Sequence, residues 1–256
     1  MLIKLNNTHH NKLMKYLNIE PEFNLFIIGD IDRYGYNNYF FNVWADINNN
    51  EEIEGILVKY FDFIIVYSYS KFNVDEFIKL INRIEYCEIS GKSEIIEQLL
   101  NRIKLRKIRT VNFYKLDKEI DYKNVLSKMK VKRIRNSKIK KIVRLYELID
   151  EFENTTTDSI KNGLKTGRGY YIEVNRQIVA MAKSTSENKT HAMIVGVGTH
   201  PRYRNQGLGT KCIVKICNEL LNENKIPCLF YDNEEAGKMY KKLGFEKIGF
   251  WTIAYK

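Results

Sequence analysis

Sixteen residues, Val195 to Thr210, constrain this chain more than any other stretch. They read Val-Gly-Val-Gly-Thr-His-Pro-Arg-Tyr-Arg-Asn-Gln-Gly-Leu-Gly-Thr. A small-residue strand runs into a basic loop and then, with no spacer, into a helix. The first N–H groups of a helix lack intrahelical acceptors, and the helix dipole favours an anion in front of them. Gly207 and Gly209 carry no side chain, so a diphosphate can come within contact of the backbone. Arg202 and Arg204 add positive charge. The segment therefore predicts a phosphate cradle. It is not a Walker loop, because the helix opens Gly-Leu-Gly-Thr where that loop needs Gly-Lys-Ser/Thr. It is not a dinucleotide fingerprint either, since Gly209 is followed by Thr210-Lys211-Cys212 and the third glycine is missing.

Hydrophobic periodicity places this cradle in a mixed α/β chain with two halves. In the second half it predicts strands over 131–135, 170–174, 178–184, 191–199, 226–231 and 245–254. Helices are expected over 139–146, from Asp158 to about 163–167, over 208–224 and over 234–243. The order is β-α-α-β-β-β-α-β-α-β. In the first half, an amphipathic start (Leu13, Tyr16, Leu17) and loops lead into strands over 39–47, 53–60 and 63–69. A helix over 74–84, a strand over 86–89, a helix over 93–103 and a strand over 106–116 follow. That is β-β-β-α-β-α-β, the tail of the same order. The reading is an α/β (α+β mixed-sheet) fold in two domains, 1–125 and 126–256.

Charge separates the halves. Residues 1–128 carry 18 Lys+Arg against 18 Asp+Glu, and residues 129–256 carry 24 against 13, so the whole excess of +11 lies in the second half. A basic domain suits a phosphorylated or otherwise polyanionic ligand. Its densest run, Lys128 to Lys141, lacks aromatic interleaving and has no helix-turn-helix or zinc-finger spacing, which argues against nucleic acid as the main partner. No apolar run reaches the roughly 18 residues of a membrane helix, and the polar residues 1–15 do not read as a secretory signal. Cys87, Cys212, Cys217 and Cys228 form no CxxC pair and read as the reduced thiols of a cytoplasmic protein. His9 and His10 near the terminus read as solvent-facing, and no metal site is expected.

Arg204-Asn205-Gln206-Gly207-Leu208-Gly209 resembles the Arg/Gln-x-x-Gly-x-Gly/Ala signature of the GNAT N-acetyltransferase superfamily. The stretch Asn233-Glu234-Glu235-Ala236-Gly237-Lys238-Met239-Tyr240-Lys241-Lys242-Leu243-Gly244-Phe245 resembles that family's Asn-x-x-Ala-x-x-x-Tyr-x-Lys-x-Gly-Phe ending. The two stand in the family's order on the expected elements and cover residues 129–256. With a degenerate GNAT-like first half that lacks a phosphate loop, the chain is similar to a two-lobed bacterial group.

The resemblance implies transfer of an acetyl group from acetyl-CoA to a primary amine of a small molecule or amino acid, without a metal. It implies that pantetheine lies along Val197, Gly198 and Thr199, where the fourth and fifth strands splay. The pyrophosphate would sit on Arg204, Asn205, Gln206, Gly207, Leu208, Gly209 and Thr210. Asn233 would bond near the pantetheine arm, Ala236 would leave room for it, and Tyr240 would protonate the leaving thiolate. The general base stays open: Glu173, His191 and an ordered water chain are the candidates. Two other functions compete, a non-catalytic acyl-CoA-binding module and a basic nucleic-acid-binding protein.

Overall fold

A computed structural model describes residues 1–121, 129–152 and 155–256. The expected domain boundary at 125/126 lies outside the described residues. Strands β1 (Leu2–Lys4), β2 (Phe41–Ile47), β3 (Ile53–Tyr60), β4 (Phe63–Tyr67), β5 (Glu88–Lys92) and β6 (Lys107–Lys115) alternate with helices α1 (His10–Leu17), α2 (Leu25–Tyr34), α3 (Val74–Ile81) and α4 (Ser93–Leu100). There follow β7 (Lys132–Arg133), α5 (Ile139–Tyr146), α6 (Thr157–Lys165), β8 (Gly169–Val174), β9 (Gln177–Thr185) and β10 (His191–Thr199). The chain ends with α7 (Leu208–Asn222), β11 (Ile226–Tyr231), α8 (Glu234–Lys242) and β12 (Glu246–Tyr255).

Both halves thus carry the full order β-α-α-β-β-β-α-β-α-β, where periodicity alone predicts only its tail for the first half. β1 has three residues, too few for a period to be visible. α2 falls where a loop is expected: it buries Leu25, Ile27, Ile28 and Ile31 around an interior Gly29, a spacing and composition that dilute the helical pattern. The mixed α/β fold class is as expected.

By its internal contacts the chain forms two units, Met1–Phe113 with Ile248–Lys256, and Tyr114–Lys247. In the first, β1, β2, β3 and β4 are antiparallel neighbours, β5 is parallel to β4, and β12 is antiparallel to β5. Leu57, Ile64, Val66, Phe77, Ile81, Ile89 and Ile96 are fully buried between this sheet and α3 and α4.

In the second unit β7, β8, β9 and β10 are antiparallel neighbours and β11 is parallel to β10. Two cores flank its sheet. One holds Ile172, Val179, Ala180 and Ala182 against the α7 residues Leu208, Cys212, Ile213, Ile216, Cys217 and Leu220, an i, i+4, i+8 stripe with its neighbours. The other holds Tyr171, Ile178 and Met181 against Ile139, Ile142, Leu145 and Tyr146 of α5 and Ile160 of α6. The sheet face under α5 and α6 and the face under α7 are therefore chemically separate sides of β10.

Candidate active site

The ladder between β10 and β11 runs only from His191 opposite Ile226 to Ile194 opposite Leu229. β10 continues to Thr199 with β9 on its other side. The register against β9 shifts between Val195 and Gly198, a bulge containing Gly196 and Val197. Gly196 sits at φ +61, left-handed backbone that disfavours any side chain with a Cβ. A Cβ there would also strike the Tyr146 hydroxyl. Bulge and lost ladder together turn the end of β10 away from β11 and leave an open strand edge.

The loop after β10 is built by short-range bonds. His200 accepts from the Arg202 N–H at 3.2 Å, and a single helical turn spans Pro201–Tyr203. Asn205 (φ +61) and Gly207 (φ +68) are both left-handed, and Gly207 begins α7 with no side-chain cap. The amides at the start of α7 thus keep the unfilled donor capacity that an anion can take. Gly209 is buried against the end of β10: a Cβ on it would lie 2.7 Å from Thr199 Oγ1. The glycine allows helix start and strand end to touch. Arg202, Arg204, Asn205 and Gln206 are exposed around this point, and Arg204 Nε lies 3.5 Å from the Thr199 carbonyl oxygen. The cradle residues named from the sequence, 204–210, therefore share one loop and helix start at the end of the strand carrying Val197, Gly198 and Thr199.

Asn233 caps α8. Its Oδ1 accepts from the Glu235 and Ala236 N–H groups at 3.0 and 3.2 Å, and its Nδ2 lies 3.4 Å from Glu151 Oε1. Ala236 packs at the edge of the core under α7. Tyr240 is 6% exposed, with its ring 5.7 Å from those of Tyr231 at the end of β11 and Phe245. Its hydroxyl has no hydrogen-bond partner among the described residues. Burial, with a smaller effect from Cys217, pushes its pKa upward, so the phenol keeps its proton at neutral pH. Gly237 lets the Tyr231 ring lie against α8, since a Cβ would run into that ring.

Glu173, one candidate base, is committed elsewhere. Lys138, Lys141 and Lys132 hold its carboxylate at 2.8, 3.1 and 3.3 Å. Hydrogen bonds from Lys138 and then Lys141 pull its pKa down to about 2. Such a group is ionised but too weakly basic to take a proton from an ammonium. His191 is buried at the start of β10, with Nδ1 2.8 Å from Thr190 Oγ1. Cys228 is buried in β11, and burial raises the Cys212 thiol to about 12 and the Cys217 thiol further, so these two are packing groups. Among the described residues no group of His, Cys, Asp or Glu is arranged to hold a metal ion. None of the described helices is long and apolar enough to cross a membrane.

Two side chains not singled out from the sequence also face the bulge. Tyr146, buried at the end of α5, donates from its hydroxyl to the Gly196 carbonyl at 2.7 Å. Lys183 of β9 lies opposite Gly169 of β8 and Val195 of β10. Its Cε would be 3.2 Å from a Cβ on Gly196, and its Nζ 2.9 Å from one on Gly163. Tyr146 reads in the sequence as one more helical core position. Lys183 gives a faint signal, a charge at an inward position of an apolar strand.

A GNAT acetyltransferase family profile matches residues 33–254. A soybean protein, Histone acetyltransferase TAP1 of Glycine max, is 26% identical over 102 residues, 40% of this chain and 44% of that relative. The alignment thus spans less than half of the curated relative's length. A solved tandem GNAT protein from the clavulanic acid biosynthesis pathway superposes with a TM-score of 0.61 at 12% identity, over 99% of this chain and 98% of its own. A Drosophila protein superposes with a TM-score of 0.71 at 10% identity, over 100% and 98%. At these identities the two structures are alike in fold.

Proposed function

Because the chain belongs to the GNAT acetyltransferase family, we propose that it moves an acetyl group from acetyl-CoA directly to a primary amine of a small molecule or amino acid, in the cytoplasm. The observation that carries this reading is the splayed end of β10 leading into the uncapped, left-handed start of α7. A strand edge freed from β11 offers backbone groups to an extended, amide-containing arm. The helix start offers N–H groups and positive potential to a diphosphate. CoA has both parts in that order.

In this reading Val197, Gly198 and Thr199 bind the arm, and residues Arg204 to Thr210 bind the diphosphate. Ala236 gives clearance, and Asn233 fixes the start of α8 beside it. The amine nitrogen bonds to the acetyl carbon while the carbonyl oxygen gains charge, which a backbone N–H of the bulge can stabilise. The carbon–sulfur bond breaks, the amine gives up a proton, and the thiolate takes one from Tyr240. Glu173 is excluded as base by its three lysines, and water held beside the bulge is the simplest remaining acceptor.

Thiol release in the presence of acetyl-CoA and a panel of primary amines tests the reading. Turnover that depends on the amine, with acetylated product, is expected. Calorimetric CoA binding without turnover on any amine would instead favour a non-catalytic acyl-CoA-binding module. Binding only to long nucleic acid, falling steeply with salt, would overturn both.

A further inference from the structure

Lys183 stands apart from other lysines of the second unit. Lys132, Lys138 and Lys141 share Glu173, Lys225 pairs with Glu187 and Glu223, and Lys211 donates to the Met129 carbonyl. Lys183 makes no ion pair and no hydrogen bond among the described residues. Yet three glycines clear its path. Gly169 faces its Cβ across the β8–β9 ladder, Gly196 faces its Cε at the bulge, and Gly163 of α6 lies under its Nζ. A side chain at Gly163 would crowd the ammonium. One at Gly169 or Gly196 would crowd the stem. A cation threaded inward without a counter-ion is destabilising to the protein alone, and burial accordingly lowers its pKa.

Its position says what would complete it. Lys183 is two residues beyond Met181 and alternates with Ala182, so it projects from the face under α5 and α6, opposite the face that carries α7 and the cradle. Beside it is Gly196, where β10 leaves β11. If the acetyl group is delivered at that bulge, the ammonium lies on the side from which the acceptor amine must approach.

We propose that Lys183 is a specificity-determining contact that receives a carboxylate on the acceptor, so that the substrates are amines bearing an acidic group, as amino acids do. A single ammonium, with no charged neighbour acting on it among the described residues, suits one carboxylate better than a phosphate dianion, which calls for several donors. The inference rests on the acetyltransferase reading above.

The test compares matched pairs, each an amino acid and the amine left by removing its carboxyl group, in acetyl-CoA-dependent steady-state kinetics. The wild type should prefer the acid-bearing member by about tenfold or more in kcat/KM. Lys183→Met should collapse that ratio toward one by raising KM for the acid-bearing member. Lys183→Arg, which keeps the charge, should restore part of it. CoA affinity by calorimetry reports that each variant is folded. A wild-type preference for the decarboxylated member, or a preference that survives in Lys183→Met, would overturn the assignment. If no amine is turned over, the transferase reading fails by itself. Calorimetry of the same amino acids with the CoA-loaded protein then decides the Lys183 contact: binding lost in Lys183→Met supports it, and no binding by the wild type overturns it.

Discussion

The Tyr146 hydroxyl donates to the Gly196 carbonyl at 2.7 Å, tying the end of α5 to the bulge that turns β10 away from β11. The bond is part-buried, and Tyr146, which makes it, is 1% exposed. Tyr146→Phe keeps the ring, which packs 4.4 Å from that of Phe152, and strands the carbonyl. Stability should fall by about 1–2 kcal/mol in urea denaturation. Since the bulge positions the strand edge rather than the diphosphate cradle, kcat should drop by more than CoA affinity does. An equal loss in both would show that the bond supports the fold in general.

Gly207→Asp probes the cradle. Aspartate tolerates left-handed backbone better than most residues, so the variant should fold. Its carboxylate would stand before the free amides of α7, where a diphosphate is proposed to lie. CoA affinity measured by calorimetry should fall tenfold or more, about 1.4 kcal/mol. Gly207→Asn, equally permissive in backbone but neutral, should lose less. Unchanged binding in the aspartate variant would remove the diphosphate from this loop.

The first unit carries the same element order but closes both features. Its β4 and β5 are parallel partners from Phe63–Glu88 to Val66–Gly91, nearly the full length of β4. Gly91 permits this closeness, since a Cβ there would collide with the Val66 carbonyl oxygen. Asn73 caps the start of α3 by accepting from the Glu76 N–H at 3.2 Å, and Asp75 and Glu76 occupy its first turn. A capped, acidic helix start repels a diphosphate. Calorimetry should therefore give one CoA per chain, and Gly207→Asp should weaken that single event about tenfold or more. Two equivalents, with one surviving in the variant, would overturn the expectation.

What could be read from the sequence and what could not divide along physical lines. Gly207, Gly209 and the helix after them are legible because a glycine pair, a basic loop and an amphipathic period coincide in sequence. The bulge at Gly196 and Val197 is hinted at by two glycines in a strand, but its consequence, loss of the ladder after Ile194, depends on β11, some thirty residues away. Tyr146 and Lys183 escape notice for the same reason. Each acquires a role only from glycines on other elements, and no local pattern marks a residue by the space that distant residues leave for it. Glu173 errs the other way: a carboxylate in a strand suggests a base, whereas the lysines that engage it, Lys132, Lys138 and Lys141, belong to the basic run Lys128 to Lys141, whose pairing with a distant strand no local pattern shows.

The Glu173 cluster sets a pH dependence of stability. Its carboxylate is held down to about 2 in the folded protein, against about 4.3 in an unfolded chain. A lowered folded-state pKa means that the unfolded chain binds the proton more readily, so the stabilisation is complete above about pH 4.3 and is lost as pH falls toward 2. Glu173→Gln leaves three lysines facing one another. At pH 7 it should be less stable than the wild type by about 1 kcal/mol, a partly exposed cluster being screened by water. Urea denaturation repeated at pH 3 should narrow that gap. A gap independent of pH would mean that the glutamate acts through packing.

Tyr240 separates catalysis from packing most sharply. Its ring is wedged between Tyr231 and Phe245, as a core residue's would be, yet its hydroxyl reaches no protein partner among the described residues. Burial raises its pKa, which holds the proton in place but also makes it a reluctant donor. Donation becomes favourable only to a base desolvated in the same site, as a thiolate leaving at the mouth between β10 and β11 would be. Tyr240→Phe removes the hydroxyl and keeps the ring. If Tyr240 is the acid, turnover should fall by about 10²–10⁴ with CoA affinity and stability nearly unchanged. The rate should also regain part of its value with an acyl-thioester whose thiol is more acidic, because that leaving group needs the proton less. A loss below threefold would make the ring a packing element, and a loss confined to CoA binding would make the hydroxyl a ligand contact.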